Sequence, residues 1–234
     1  AWAKANPGKL TYGHTGTETG WYQKDTVNMT PNKWEHDRMV QLAEMVVKAA
    51  GKDVDVACDL HTRLDKHSAI RLCKDLEHLQ LMWLEEPIPP ENYDAMAEIT
   101  RSTTVPICGG ENLFLRHGFR EIFEKQALDI IMPDIPKCGG LSECRKIANM
   151  AEVYYVPLAP HNVCGPLGTM ASAHVCASIP NFLVMEWHWV DYEGWDDLTL
   201  QDQPVIQNGH VVLTDKPGIG LEVNDEVART FIRP

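Results

Sequence analysis

Six side chains able to hold a cation or move a proton recur along this chain at nearly equal intervals. Asp59, Glu85, Glu111, Asp134, His161 and Glu186 lie 26, 26, 23, 27 and 25 residues apart. Asp59, Glu85 and Glu111 are the three best matched in spacing, and elements of one repeating kind would carry their carboxylates to one point. Three converging anions repel one another unless a divalent cation sits among them. An all-oxygen donor set with room for water and substrate favours Mg²⁺, with Mn²⁺ the alternative.

The elements that must position these groups are legible in the same intervals. An apolar run precedes each group. Val54 to Cys58 leads to Asp59, and Leu81-Met82-Trp83-Leu84 leads to Glu85-Glu86-Pro87. Thr104 to Cys108 leads through two glycines to Glu111, and Leu128 to Pro133 leads to Asp134. Tyr155 to Pro160 leads to His161, and Phe182 to Met185 leads to Glu186. Helical spacing predicts helices between them, over about 68–79, 92–100, 118–125, 141–153 and 167–177. A strand, a turn and a helix fill each interval, which makes the strands parallel and the crossovers right-handed. Polar groups at the C-terminal ends of such strands describe the active face of an α/β (β/α)₈ TIM-type barrel.

Ahead of this series, Thr30 and Pro31 predict the start of a helix, as cap and first helical residue. Trp34, Met39, Leu42, Val46 and Ala49 follow at helical spacing until Gly51. Behind the series, Pro204 to Leu213 reads as a hairpin around Asn208-Gly209. A barrel closes with about eight strands, and only a stub ending near Asn6 precedes the strand at Asp59. The expectation is therefore a barrel incomplete at its N-terminus. Residues 1–190 would form the barrel domain, and residues 191–234 a C-terminal hairpin and tail packed on it and on a missing capping domain.

Composition narrows the partners. A formal charge of −12 over 234 residues argues against nucleic acid or an anionic membrane. No apolar run approaches the ~20 residues of a membrane helix. Seven cysteines without a Cys-x-x-Cys pair read as reduced thiols, Cys58, Cys73, Cys108 and Cys176 among them within apolar runs, in a cytoplasmic enzyme.

The ordered set of Asp59, Glu85 in Leu-Glu-Glu-Pro, Glu111 in Gly-Gly-Glu-Asn, Asp134 in Pro-Asp-Ile and His161 in Ala-Pro-His resembles the enolase superfamily, mandelate racemase branch. Within that branch the chain is most similar to the acid-sugar dehydratases, the D-galactonate dehydratases in particular. Asp59-Leu60-His61-Thr62-Arg63, Lys4-Ala5-Asn6 and Lys216-Pro217-Gly218-Ile219-Gly220 carry further parts of the likeness. The resemblance implies a Mg²⁺ enzyme acting on a small sugar acid, commonly as a homo-oligomer. His161, oriented by Asp134, would be the base for the α-proton. His61, two positions past Asp59 and so on the same face of a strand, would be the acid for the departing 3-hydroxyl. Glu186, Lys4, Asn6 and Arg63 would contact the substrate, and Glu86 would support its neighbour Glu85. Trp187 would either form an apolar wall against the sugar chain or pack beneath a loop.

Thr62, where family members often carry Gly, departs from the pattern. So do Asn162-Val163-Cys164 and Trp187-His188-Trp189. Two other readings stay open: a racemase, epimerase or cycloisomerase on the same barrel, and a non-catalytic barrel remnant. Asn6, standing where a second catalytic lysine is expected, and His61 favour dehydration over the first of these.

Overall fold

The computed structural model describes residues 29–188, 194–201 and 203–231. The expected site residues Lys4 and Asn6 lie outside them. The described chain packs as two compact units, one running up to Gly109 and including Arg120–Ile130, the other holding Gly110–Phe119 and the residues from Ile131 on.

In the first unit, β1 (Cys58–Asp59), β2 (Leu84–Glu85) and β3 (Ile107–Gly109) lie side by side in chain order, with Ile130 of β4 (Ile130–Ile131) beyond β3. Neighbours are parallel, pairing Cys58 with Leu84, Asp59 with Glu85, and Glu85 with Cys108. Helix α1 (Lys33–Ala50) precedes β1, and α2 (Lys66–Leu76) and α3 (Tyr93–Arg101) separate the three strands in sequence. Leu72, Leu76, Leu84, Ile99 and Ile107 fill the core.

Helix α1 starts later than Thr30-Pro31 predicts. Asn32 is its cap, accepting from the Glu35 N–H at 3.0 Å while the Glu35 carboxylate accepts from the Asn32 N–H at 2.9 Å. That reciprocal box satisfies two donors, where a lone Thr30 would satisfy one. Gly51, with φ 76°, ends the helix as expected. Among the described residues Leu42, Met45 and Val46 of α1 are exposed, and Glu35 and His36 are buried instead.

In the second unit the strand pairing consists of single parallel bridges, Ile131 to Leu158 and Leu158 to Phe182. Prolines account for the brevity of the pairing, because a proline can accept from a neighbouring strand but cannot donate. The Ile131 N–H donates to Pro157 O at 3.0 Å, and the Glu186 N–H to Pro160 O at 3.1 Å. Helix α4 (Leu115–Lys125) lies between β3 and β4 in sequence, α5 (Ile135–Cys138) and α6 (Leu141–Val153) lie between Ile131 and Leu158, and α7 (Pro166–Ala177) lies between Leu158 and Phe182. The short α5 is absent from the sequence reading.

A 3₁₀ turn at Asp196–Leu198 leads into β5 (Thr199–Leu200), which pairs antiparallel with β8 (Glu222–Val223). The expected hairpin is present as β6 (Ile206–Gln207) and β7 (His210–Val211), turning on Asn208 and Gly209, both at positive φ. Helix α8 (Asp225–Thr230) follows. All seven cysteines are free thiols, though Cys58 and Cys164 are only half-buried. No described helix is long and apolar enough to cross a membrane.

Candidate active site

Asp59 and Glu85 close neighbouring parallel strands in direct register, so their side chains leave the same face of the sheet. Glu85 is buried, and its Oε2 accepts from the Trp83 indole N–H at 3.2 Å, two residues back on that face. Strand alternation is the signal for this partner, since Trp83 and Glu85 are two apart in sequence. Asp59 stands at the exposed edge of β1 and its Oδ1 accepts from the His61 N–H at 2.7 Å.

That bond turns the chain. β1 ends at Asp59, and His61 and Thr62 have φ values of 46° and 59°. His61 is therefore not a strand residue two steps past Asp59, and the same-face argument for it fails. It is an exposed side chain on a left-handed turn. The turn also explains why glycine suits the position of Thr62, since a β-branched residue is strained there. The Thr62 N–H donates to Glu86 O at 2.6 Å, and the half-buried Arg63 closes the turn with its N–H on Leu60 O at 3.2 Å. Glu86 is buried, which suits a supporting role. A Cβ on Gly109 would come within 3.0 Å of its carboxylate oxygen. At Gly110, φ 121° and a Cβ only 2.9 Å from the Phe119 ring both demand glycine. The Gly-Gly before Glu111 thus has a steric cause.

The second unit brings four of the predicted residues together. Asp134 caps α5, its Oδ1 accepting from the Lys137 N–H at 2.9 Å, while its Oδ2 lies 2.7 Å from His161 Nδ1. His161 Nε2 lies 2.5 Å from Glu111 Oε2 and 3.8 Å from Glu186 Oε2. Glu186 Oε2 in turn accepts from the Asn162 N–H at 2.8 Å. A carboxylate on Nδ1 assigns the proton to that nitrogen and leaves Nε2 as the working atom.

The charges follow from these contacts. Burial disfavours the charged ring of His161, but its bonds to Asp134 and Glu111 and the charges of Glu111 and Glu186 outweigh it, pushing its pKa up to about 10. Burial also opposes ionisation of Asp134, yet the bonds from His161 and the Lys137 N–H hold it below the usual carboxylate value. A base can accept a proton only when neutral. Loss of the Glu111 contact would lower the His161 pKa and favour that neutral state, while the Asp134 bond would continue to raise it.

Trp187 is exposed beside Glu186 and meets Trp195 edge to face, with ring centroids 6.1 Å apart at 67°. Trp195 donates its indole N–H to Cys164 O at 3.2 Å, in the loop after His161. Among the described residues no three His, Cys, Asp or Glu side chains stand together in metal-holding geometry, the Glu111 carboxylate lying on His161. As donors, Asp59, Glu85 and Glu111 are all hard carboxylate oxygens, the type a Mg²⁺ ion takes.

Residues 15–227 match the family model described as Enolase C-terminal domain-like. A D-xylonate dehydratase from Haloferax volcanii is 46% identical over 203 residues, covering 87% of this chain and 49% of that protein. A D-galactonate dehydratase from Pectobacterium atrosepticum is 31% identical over 208 residues, covering 87% and 54%. Among solved structures, a mandelate racemase/muconate lactonizing enzyme-like protein from Rubrobacter xylanophilus superposes with a TM-score of 0.85 at 50% identity. It covers 91% of this chain and 54% of that one. The parallel strand–helix units are those of an enolase-type (β/α) barrel. The chain belongs to the Enolase C-terminal domain-like family, and it spans about half the length of the relatives it matches.

Proposed function

We propose that the full-length protein is a cytoplasmic, Mg²⁺-dependent hydro-lyase of sugar acids. It takes the α-proton from an aldonate and expels the 3-hydroxyl, leaving a 2-keto-3-deoxy acid. The observation that carries this reading is the chain of contacts from Asp134 through His161 to Glu111 and Glu186. The relatives named for D-xylonate and D-galactonate support a pentonate or hexonate as substrate.

His161 takes the α-proton at Nε2, with Asp134 fixing its ring and stabilising the imidazolium that results. Asp59, Glu85 and Glu111 would hold the cation, a role that their spacing and donor chemistry support. When bound, Mg²⁺ supplies positive charge against the negative charge that grows on the substrate carboxylate as the proton leaves. His61 delivers a proton to the departing hydroxyl, and its place on an exposed turn leaves it accessible. Glu186, Arg63, Lys4 and Asn6 orient the polar groups of the substrate, and Trp187 offers an apolar face to its carbon chain. Residues 1–190 serve as the barrel part and 191–234 as a tail against a capping domain.

Replacing His61 separates the two proton transfers. In the full-length protein with Mg²⁺, His61→Asn retains exchange of the substrate α-proton with solvent and loses the 2-keto-3-deoxy product. An unchanged rate of product formation removes His61 from the mechanism.

A further inference from the structure

The residue after His161 is held through both its side chain and its main chain, by partners other than the base itself. Asn162 is fully buried, as is Thr169 in the first turn of α7. The Asn162 side-chain NH₂ donates to Thr169 Oγ1 at 3.0 Å. The threonine hydroxyl has two acceptors to choose from, Asn162 Oδ1 and Cys164 O, each at 3.5 Å. On the main chain, Asn162 O accepts from the His188 N–H at 3.4 Å, and the Asn162 N–H donates to Glu186 Oε2 at 2.8 Å. Gly168 lets the helix come this close, because a Cβ there would stand 2.6 Å from Cys164 Cβ.

We propose that Thr169 and Asn162 are positioning residues for Glu186: the buried Asn162–Thr169 pair aims one backbone N–H at the Glu186 carboxylate and so sets its distance from His161. The argument is one of geometry. A backbone N–H can hold a carboxylate in place only if its own peptide is fixed, and a loop peptide is fixed by what its side chain and carbonyl bind. With Oε2 taken by Asn162, Oε1 is the oxygen that meets substrate. This inference rests on the substrate role proposed above for Glu186. It places part of the control of the site on the first turn of α7, Pro166 to Thr169, which carries no charged or metal-binding side chain.

Thr169→Val removes the hydroxyl at nearly constant volume, and Thr169→Ser keeps it. Two readouts on the full-length protein test the pair. The first does not depend on activity: hydrogen exchange at the Asn162 amide. Thr169→Val speeds that exchange by about tenfold, the size set by losing one buried hydrogen bond, and Thr169→Ser leaves it slow. The second is a double-mutant cycle with Glu186→Gln on turnover of the acid sugar. Thr169→Val lowers kcat about tenfold when Glu186 is present, with Thr169→Ser recovering most of it, and costs little more when Glu186 is already Gln. Unchanged amide exchange in Thr169→Val overturns the proposal. So does an equal loss of kcat in both backgrounds, which marks a merely structural effect. If the wild type turns over no sugar acid, the functional reading fails and the exchange measurement alone decides this inference.

Discussion

Asp134→Asn is the substitution whose outcome the geometry specifies most fully. Asp134 does two things with two oxygens: Oδ1 caps α5 through the Lys137 N–H, and Oδ2 takes the His161 Nδ1 proton. Asparagine keeps an oxygen for the cap, so α5 is retained. Its NH₂ then faces His161 Nδ1, and two donors cannot share that bond. The imidazole must shift its proton to Nε2, the atom that has to accept the substrate proton. Losing a general base costs about 10²–10⁴ in kcat. Stability falls far less, by about 1 kcal/mol, the difference between a charge-assisted and a neutral hydrogen bond. Asp134→Ala also loses the cap and costs about 1 kcal/mol more. The assay is steady-state turnover of the acid sugar by the full-length protein with Mg²⁺, alongside a thermal melt. KM should change little, because Asp134 is placed against His161 rather than against substrate. A folded Asp134→Asn enzyme with kcat within about threefold of wild type would refute the assignment of His161 as a base oriented by Asp134.

Two stability predictions test the local readings. Thr62→Gly relieves a left-handed strain of about 1–2 kcal/mol and adds about 0.5–1 kcal/mol of unfolded-chain entropy. The variant should therefore gain up to about 1.5 kcal/mol in urea denaturation, and a loss of stability would contradict the strain at φ 59°. Asp129→Asn addresses a residue that is exposed overall but whose carboxyl, accepting from the Ile107 N–H, is partly desolvated and so raised above its usual pKa. A raised folded pKa means that ionisation penalises the folded state. The variant, whose amide oxygen can still accept from Ile107, should be the more stable at pH 7 in paired melts. Its advantage should vanish as pH falls below the unfolded pKa of about 4.

Much of the site was legible because the relevant signal is local and repeated. Glu85, Glu111, Asp134, His161 and Glu186 each follow an apolar run, and the ladder places them at strand ends or just beyond. The helix over 141–153 is read to the residue, its apolar positions being unambiguous. What was not legible depends on backbone conformation or on distant partners. His61 looks like a strand residue until the Asp59 carboxylate captures its N–H and turns the chain. Thr30 looks like a cap until Asn32 and Glu35 form a better one. Tyr155 belongs to an apolar run yet has φ 60° and is exposed, since pairing is confined to Leu158 and its flanking carbonyls. Asn162 and Thr169 carry no chemical signature, and only folding brings them together beside Glu186. Trp195 reaches Cys164 from 31 residues away, beyond any spacing rule.

The central claim is tested most directly by proton NMR of the full-length protein with Mg²⁺ and D-xylonate or D-galactonate in D₂O. The predicted result is loss of the substrate C2 proton with formation of a 2-keto-3-deoxy acid carrying one deuterium at C3. Deuterium appearing at C2 of an epimer, without elimination, would contradict dehydration. No change in any member of a pentonate and hexonate panel, α-proton exchange included, would contradict catalysis altogether.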